Sequence, residues 1–463
     1  MGGKKGRDLS MTYRIGSGAG FSGDRVDAAG PVVSAIAAHG QGGAIIFETI
    51  GERTLALGQL ARQQNDEAGY EPLLADIVEP ILRPCLDHGI VVVGNFGCAN
   101  PHAAARLIAD VARRQGLRRP RIAVVEGDEI GDAIDTDRHE VWEGDRHLPR
   151  PHGQLLSANA YLGAEAIAAA IREGAEIVVT GRVADPALAL GPLVAHFGWD
   201  WDDLDRIAAG TLVGHLLECG SQVTGGYFAD PGFKDVPSPE TIGFPIAEVE
   251  PDGSFVVTKP EGTGGLVDLR TVKEQILYEI HDPAAYLTPD VTLDITGVEI
   301  EDVGPDRVAV RGARGHTRPD SLKATVGFSG DWFGEAEISF AGPNALARAK
   351  LAIETLSKRL ELRGLDVRHR LDIIGATSAF DSDEGALRSS LPALELEDVR
   401  VRLAVRDDER RRVEQSLQEM TALYCCGPAA GGGVRSRIVP RIETRSYLVP
   451  RDVVRPGFRM ATV

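Results

Sequence analysis

One run in the middle of the chain sets three reactive side chains within about one helical turn. In GHLLECG, residues 214–220, His215 and Cys219 stand four apart with Glu218 beside them, so a helix would present an imidazole, a thiol and a carboxylate together. That is the material of a Cys–His or Glu–His acid–base pair. It fits an ordinary helix end equally well, with His215 in the last turn, Cys219 buried and Gly220 as the cap. Tyr227 follows in a Thr-Gly-Gly-Tyr loop and brings a phenol to the same region.

Further candidates lie in short glycine-bearing loops. GSGAGFSGDR (16–25) offers Gly18, Gly20, Asp24 and Arg25; small residues let backbone N–H groups approach an anion, and Arg25 adds charge. The loop lacks the Walker lysine and the full dinucleotide spacing. FETIGERT (47–54) carries Glu48, NFGCANP (95–101) carries Asn95 and Asn100, EGDE (126–129) carries Asp128, and TGRVADP (180–186) carries Arg182 and Asp185. Asn159 and Tyr161 add an amide and a phenol, and Lys259 in TKPEGTGG (258–265) could hold an anionic group. The set divides into a catalytic group (Glu48, Asn95, Asp128, His215, Glu218, Cys219) and a substrate-binding group made of the other residues named. Proton abstraction beside a thioester carbonyl needs a base and oxyanion donors, and both types are present. No H-x-x-x-H pair, C-x-x-C pair or G-x-S-x-G elbow occurs in a suitable context, so no metal site is assigned.

These loops fall where strand-like runs end, at 12–16, 44–48, 90–94, 121–126 and 176–180. Helical patterns separate them at 26–39, 52–64, 71–87, 101–115, 158–172 and 186–196. Such alternation predicts an α/β fold of parallel β/α units with both sheet faces covered, either doubly wound or a barrel. In either case the strands' carboxyl ends share one edge, so the five loops are expected to converge on one rim. After about residue 245 the pattern changes to strand-like pieces at 291–300, 307–314, 321–327, 335–340, 366–374 and 399–405, with helices at 345–363 and 407–424. We therefore expect a parallel α/β domain over 12–235 and an α+β domain with antiparallel strands over 236–463 that closes the site. Residues 1–11 read as a disordered extension.

Composition narrows the partners. The chain has 463 residues, 68 Asp+Glu against 50 Lys+Arg and a formal net charge of −18, which disfavours nucleic acid as a ligand. Its apolar runs are strand-sized, so no membrane span is expected. Five scattered cysteines make no disulfide framework and fit a reducing cytoplasm. The 54 glycines are the unusual count, and the loops above are where the informative ones fall.

Taken together, GSGAGFSGDR, FETIGERT, NFGCANP, VVEGDEI, SANAYLGA, VTGRVADP, GHLLECGSQVTGGYF, TKPEGTGGLV and HDPAAYLTPDV resemble the acyclic terpene utilisation (AtuA) family, from about Tyr13 to Gly433. Some members carry an extra C-terminal ferredoxin-like domain, which this chain is expected to lack. The resemblance implies breakdown of branched, terpenoid acids as coenzyme A thioesters, with coenzyme A as part of the substrate and no cofactor required. The expected activity is lyase or hydratase chemistry on a branched acyl-CoA or related small carboxylate, in a homo-oligomer. The alternatives are an acyl-CoA hydrolase, or a non-catalytic acyl-CoA-binding subunit that needs a partner domain.

Overall fold

The computed structural model describes residues 12–142, 151, 153–392 and 395–462, so the expected extension at 1–11 lies outside the described residues. The protein is a mixed α/β structure. The chain forms two compact units. Among the described residues, the first falls within Met1–Leu148, Leu155–Gly327 and Thr444–Val463, the second within Pro149–Gln154 and Phe328–Glu443. The division expected at residue 235 lies inside the first unit. The sheet does not stop there, because the antiparallel pair that follows adds to the same sheet.

In the first unit, strands β1 (Tyr13–Ala19), β2 (Gly43–Phe47), β3 (Ile90–Gly94), β4 (Ile122–Glu126) and β6 (Ile177–Val179) are parallel, with β5 (Leu155–Ala160) outside this sheet. Antiparallel strands β7 (Ile246–Val249), β8 (Phe255–Thr258), β9 (Glu299–Gly304), β10 (Arg307–Arg311) and β15 (Gly457–Met460) extend both edges. The ten-stranded order is β9-β10-β8-β7-β1-β2-β3-β6-β4-β15. The sheet is open, which settles the choice between doubly wound sheet and barrel.

Helices α1 (Ala29–His39) and α3 (Pro101–Arg114) pack on one face, and α4 (Glu165–Arg172), α5 (Ala187–Phe197) and α6 (Leu204–Glu218) on the other. Helix α2 (Glu52–Gln64) lies against β5, and α7 (Leu269–Leu277) against α6. Covering on both faces explains why β2 reads Gly-Ala-Ile-Ile-Phe with every residue buried. The connection after β3 goes to one face and that after β6 to the opposite face. β3 and β6 are neighbours, so a crevice opens beyond their carboxyl ends.

Two sequence expectations change. The alanine-rich run predicted as a helix over 158–172 begins as β5, and the helix starts only at Glu165. Small residues in Ser-Ala-Asn-Ala let β5 pair with the long strand β11 (Ser321–Ala341), burying 157–160, and pairing outweighs helix propensity there. The pieces at 321–327 and 335–340 are one strand: Gly-Asp-Trp-Phe (330–333) stays extended instead of turning.

The second unit is α+β. Within it β12 (Arg368–Ile374), β13 (Asp398–Asp407), the part of β11 from Phe328 on and the part of β14 (Gly431–Pro450) up to Glu443 pair in that order, and helices α8 (Ala345–Leu362) and α9 (Arg410–Cys426) cover them. β13 alternates buried and partly exposed residues, placing Val399, Val401, Leu403 and Val405 in the core with Ile338, Phe340, Leu356 and Met420.

Candidate active site

The first unit holds a cavity of about 670 Å³ at the carboxyl ends of β1, β2 and β6. Glu48, directly after β2, is its first polar wall. Glu48 Oε1 accepts from Ile50 N at 2.8 Å and from Asn95 Nδ2 at 2.9 Å, while Asn95 Oδ1 accepts from Thr49 N at 2.7 Å. Asn95 is fully buried and does not line the cavity. It ties the loop after β3 to the loop after β2 and fixes which oxygen of Glu48 is bonded. Burial, reinforced by the charge of Asp185, pushes the Glu48 carboxyl well above the usual range, against the pull of Arg182 and the two N–H donors.

Arg182, after β6, is 1% exposed. Its donors go to the Ile50 carbonyl at 2.7 Å, to the Val183 carbonyl from Nε at 2.8 Å and to Asp185. Its guanidinium lies 4.3 Å from the Tyr161 ring centre. Lys323 on β11 lies 5.0 Å from the same ring and 3.2 Å from Glu52 Oε1, which also accepts from the Tyr161 hydroxyl at 2.9 Å. Burial alone would raise Glu52, but Lys323, the backbone, Tyr161 and Arg182 together hold it at about 2. Both cations of the cavity are thus matched by carboxylates.

The opposite wall comes from the end of α6. His215 Nδ1 stands 3.2 Å from Glu218 Oε1, and Glu218 Oε2 has no hydrogen-bond partner among the described residues. His215 is 1% exposed, outside the cavity lining, with its ring centre 5.4 Å from that of Tyr286. Burial lowers the pKa of this imidazole, against the carbonyls of Ile276 and Gln275. Burial first, then the charges of Asp185 and Glu279, push Glu218 well up. Cys219 lines the cavity, but burial and Glu218 hold its thiol protonated, the opposite of what a nucleophile needs. Asp185 completes the set; burial raises its carboxyl and Arg182 opposes that.

The glycine-rich first loop is built for close approach. Gly18 belongs to β1, and a Cβ there would sit 2.4 Å from the Phe47 ring. A Cβ on Gly20 would lie 2.4 Å from the carbonyl carbon of Cys219 and 2.5 Å from Gly220 N, so this glycine lets β1's end meet α6's end. Asp24 accepts from Gly20 N at 2.8 Å and Arg25 N at 2.7 Å and lines the cavity with a carboxyl raised by burial. Arg25 turns away to Asp27 at 2.9 Å. The amides of Gly20 and Arg25 and the Arg25 guanidinium, three of the donors a phosphate cradle would use, are engaged within the chain.

Other expected residues lie elsewhere. Asp128 and Asn159 pair at 2.8 Å in a separate small pocket after β3 and β4, where burial raises Asp128 and Asn159 Oδ1 has no partner among the described residues. Asn100 caps α3, accepting from Ala103 N at 3.2 Å. Lys259 donates to the Thr263 carbonyl at 2.9 Å and stands 3.2 Å from Asp306, away from the cavity. Tyr227 lies at the cavity mouth, 92% exposed. The cavity therefore gathers Gly20, Asp24, Glu48, Tyr161, Arg182, Asp185, Glu218, Cys219 and Tyr227, and leaves out Gly18, Arg25, Asn95, Asn100, Asp128, Asn159, His215 and Lys259.

A model of the acyclic terpene utilisation family protein AtuA matches residues 13–460. The chain belongs to this family. AtuA membership connects it with acyclic terpene utilisation and, in a match nearly as long as the chain, spans both units. Neither curated proteins nor solved structures give a match. The sequence alone does not single out Glu52, Lys323, Glu279, Tyr278 and Tyr286, which also line the cavity. Glu52 and Tyr286 lie inside quoted motifs, Glu52 in the same one as Glu48. Lys323 sits in an unremarkable strand, and only strand pairing brings it to Tyr161. No group of three or more metal-ligating side chains occurs among the described residues, and no described helix is long and apolar enough to cross a membrane.

Proposed function

We propose that this AtuA-family protein is an acid–base enzyme that adds water to, or removes it from, a branched terpenoid acyl thioester or a related small carboxylate. The observation that carries the reading is a pair of buried carboxylic acids, Glu48 and Glu218, in the wall of one cavity of about 670 Å³. Each has one oxygen engaged within the chain, Glu48 Oε1 by Ile50 and Asn95, Glu218 Oε1 by His215. A carboxyl group kept protonated near neutrality is a general acid, and a partner that ionises is a base. Trp142, Ile50, Leu287 and Leu322 supply the apolar wall that a branched hydrocarbon needs.

In this reading Glu48 donates a proton to substrate, Asp185 or Glu218 receives one from water, and Arg182 holds the loops in place. Cys219 takes no part, which disfavours thiol-based hydrolysis. The test is incubation of the purified protein with enoyl- and hydroxyacyl-CoA thioesters of branched chains, read by mass for a gain or loss of water. Glu48→Gln should abolish that change. Saturable binding without product across the panel would replace the enzyme by a binding subunit.

A further inference from the structure

The cavity's lining is more specific than acid–base chemistry requires. Four of the chain's eight tyrosines, Tyr161, Tyr227, Tyr278 and Tyr286, line it, together with Trp142. Six carboxyl groups line it as well, those of Asp24, Glu48, Glu52, Asp185, Glu218 and Glu279, against the two cations Arg182 and Lys323. Both cations are already spent: Arg182 on Asp185 and two carbonyls, Lys323 on Glu52. Both also lie over Tyr161, so the site shows its preference by how it holds its own positive charges. Glu218, 6% exposed, has an oxygen with no partner among the described residues, on a side chain that lines this space.

An enolate or oxyanion developing here would find no free cation, since Arg182 and Lys323 are engaged within the chain. A positive charge would meet the rings of the four tyrosines and Trp142, and the carboxylate that Glu48 becomes when its proton leaves. We infer that the cavity stabilises positive charge on a branched carbon of its ligand, so that the bond it turns over is at a tertiary centre of an isoprenoid chain and not beside the carbonyl.

This rests on the acid–base reading above and names its substrate class: a trisubstituted alkene or the corresponding tertiary alcohol. The proton on Glu48 Oε2 forms the new C–H bond with the alkene's π pair, leaving the charge on the tertiary carbon. A lone pair of water forms the C–O bond there. The proton lost by that oxygen goes to the Asp185 carboxylate, and exchange with solvent returns both acids to their starting states. Run backwards, the same steps remove water from the tertiary alcohol.

Binding tests this without any turnover. The probes are a trimethylammonium on an isoprenoid tail, its neutral isostere with a tert-butyl group in place of the trimethylammonium, and the carboxylate of the same length, compared by calorimetry on the full chain. The ammonium is expected to bind about ten-fold tighter than the neutral isostere or more. Its affinity should also rise with pH, because bound positive charge favours ionisation of Glu48 and Glu218. Glu48 is surrounded by Asp185, Arg182 and Asn95. Glu218 is surrounded by His215, Asp185, Glu279, Arg182, Cys219 and Tyr286. Tyr286→Leu should reduce the ratio of ammonium to isostere affinity several-fold. Should that variant not fold, the pH series on the unaltered chain still decides. Equal or tighter binding of the isostere or the carboxylate overturns the inference. A thioester panel without product, alongside a preserved ammonium preference, would remove the acyl-thioester reading and leave this one standing.

Discussion

Replacing Glu48 by glutamine should stabilise the protein while it abolishes turnover. The side-chain carbonyl of glutamine can accept from Ile50 N and Asn95 Nδ2 as Glu48 Oε1 does, at 2.8 and 2.9 Å, and its amide fills the place of the protonated oxygen. Packing is kept, and what changes is the proton. The folded carboxyl titrates well above the ordinary value of 4.5, with burial and Asp185 as the causes. Between 4.5 and the folded value, the native chain holds a proton that the unfolded chain has released. Stability from this group is therefore complete below pH 4.5 and falls as pH rises through the folded value. The limiting slope is about 1.4 kcal/mol per pH unit for one group. A glutamine side chain has nothing to release. The variant should therefore match the wild type near pH 4.5 and gain on it by up to about 1.4 kcal/mol for each unit above that. Urea unfolding at about pH 5, 6, 7 and 8, followed by circular dichroism, measures the difference. Adding Glu218→Gln should steepen it, though by less than a second full slope, since both acids feel the charge of Asp185. A Glu48→Gln midpoint below that of the wild type at pH 7, or a difference independent of pH, would refute the reasoning: Glu48 would then be an ionised structural partner of Arg182.

Four further substitutions have definite expected outcomes. His215→Ala should cost about 2–4 kcal/mol in unfolding free energy, because it empties a buried site and deprives Glu218 Oε1 of its contact at 3.2 Å. Lys323→Met should cost about 0.5–1 kcal/mol at pH 7, solvent screening limiting a pair with side chains 35% and 42% exposed. Glu52 is held at about 2, so its contribution is present above 4.5 and lost as pH falls towards 2; the variant's acid-side slope should be shallower between about pH 2 and 4.5. Gly20→Ala should cost about 1–3 kcal/mol, since its Cβ would meet backbone atoms of Cys219 and Gly220. Gly30→Ala, with nothing within 4 Å and a helical position in α1, should instead raise the midpoint.

What the sequence disclosed was mostly periodic. The buried runs of β2, β3 and β6 and the cap at Asn100 are local signals, and the rim they imply is where the cavity lies. What it concealed depends on partners distant in the chain. Ser-Ala-Asn-Ala reads as helix until β11 pairs with it, and that same pairing delivers Lys323 to Tyr161 and Glu52 from far along the chain. The boundary at 235 follows a real change in composition, yet the antiparallel strands beyond it bond to β1, so a change of pattern is not a change of unit. Charge also misleads when read singly. Arg25, Arg182 and Lys259 look like anion clamps in a string of letters, and each spends its donors on carboxylates or carbonyls of the chain.

That last point bears on how the site came to be so acidic. A buried arginine among carboxyl groups is costly to build and adds little net stability, since desolvation consumes most of the attraction. Arg182 contributes by joining the loops after β2 and β6 through the Ile50 and Val183 carbonyls, and by holding Asp185. Gly20 does a similar service between β1 and α6. The features most like a ligand site in the sequence thus build the frame. The frame then places Glu48 and Glu218, two acids that no packing argument requires, in the wall of one cavity. Glutamine at position 48 would keep the hydrogen bonds to Ile50 and Asn95 and remove the cost of burying a charge, so under the proposed acid–base role Glu48→Gln separates the two: the fold keeps its frame and the proton transfer is lost.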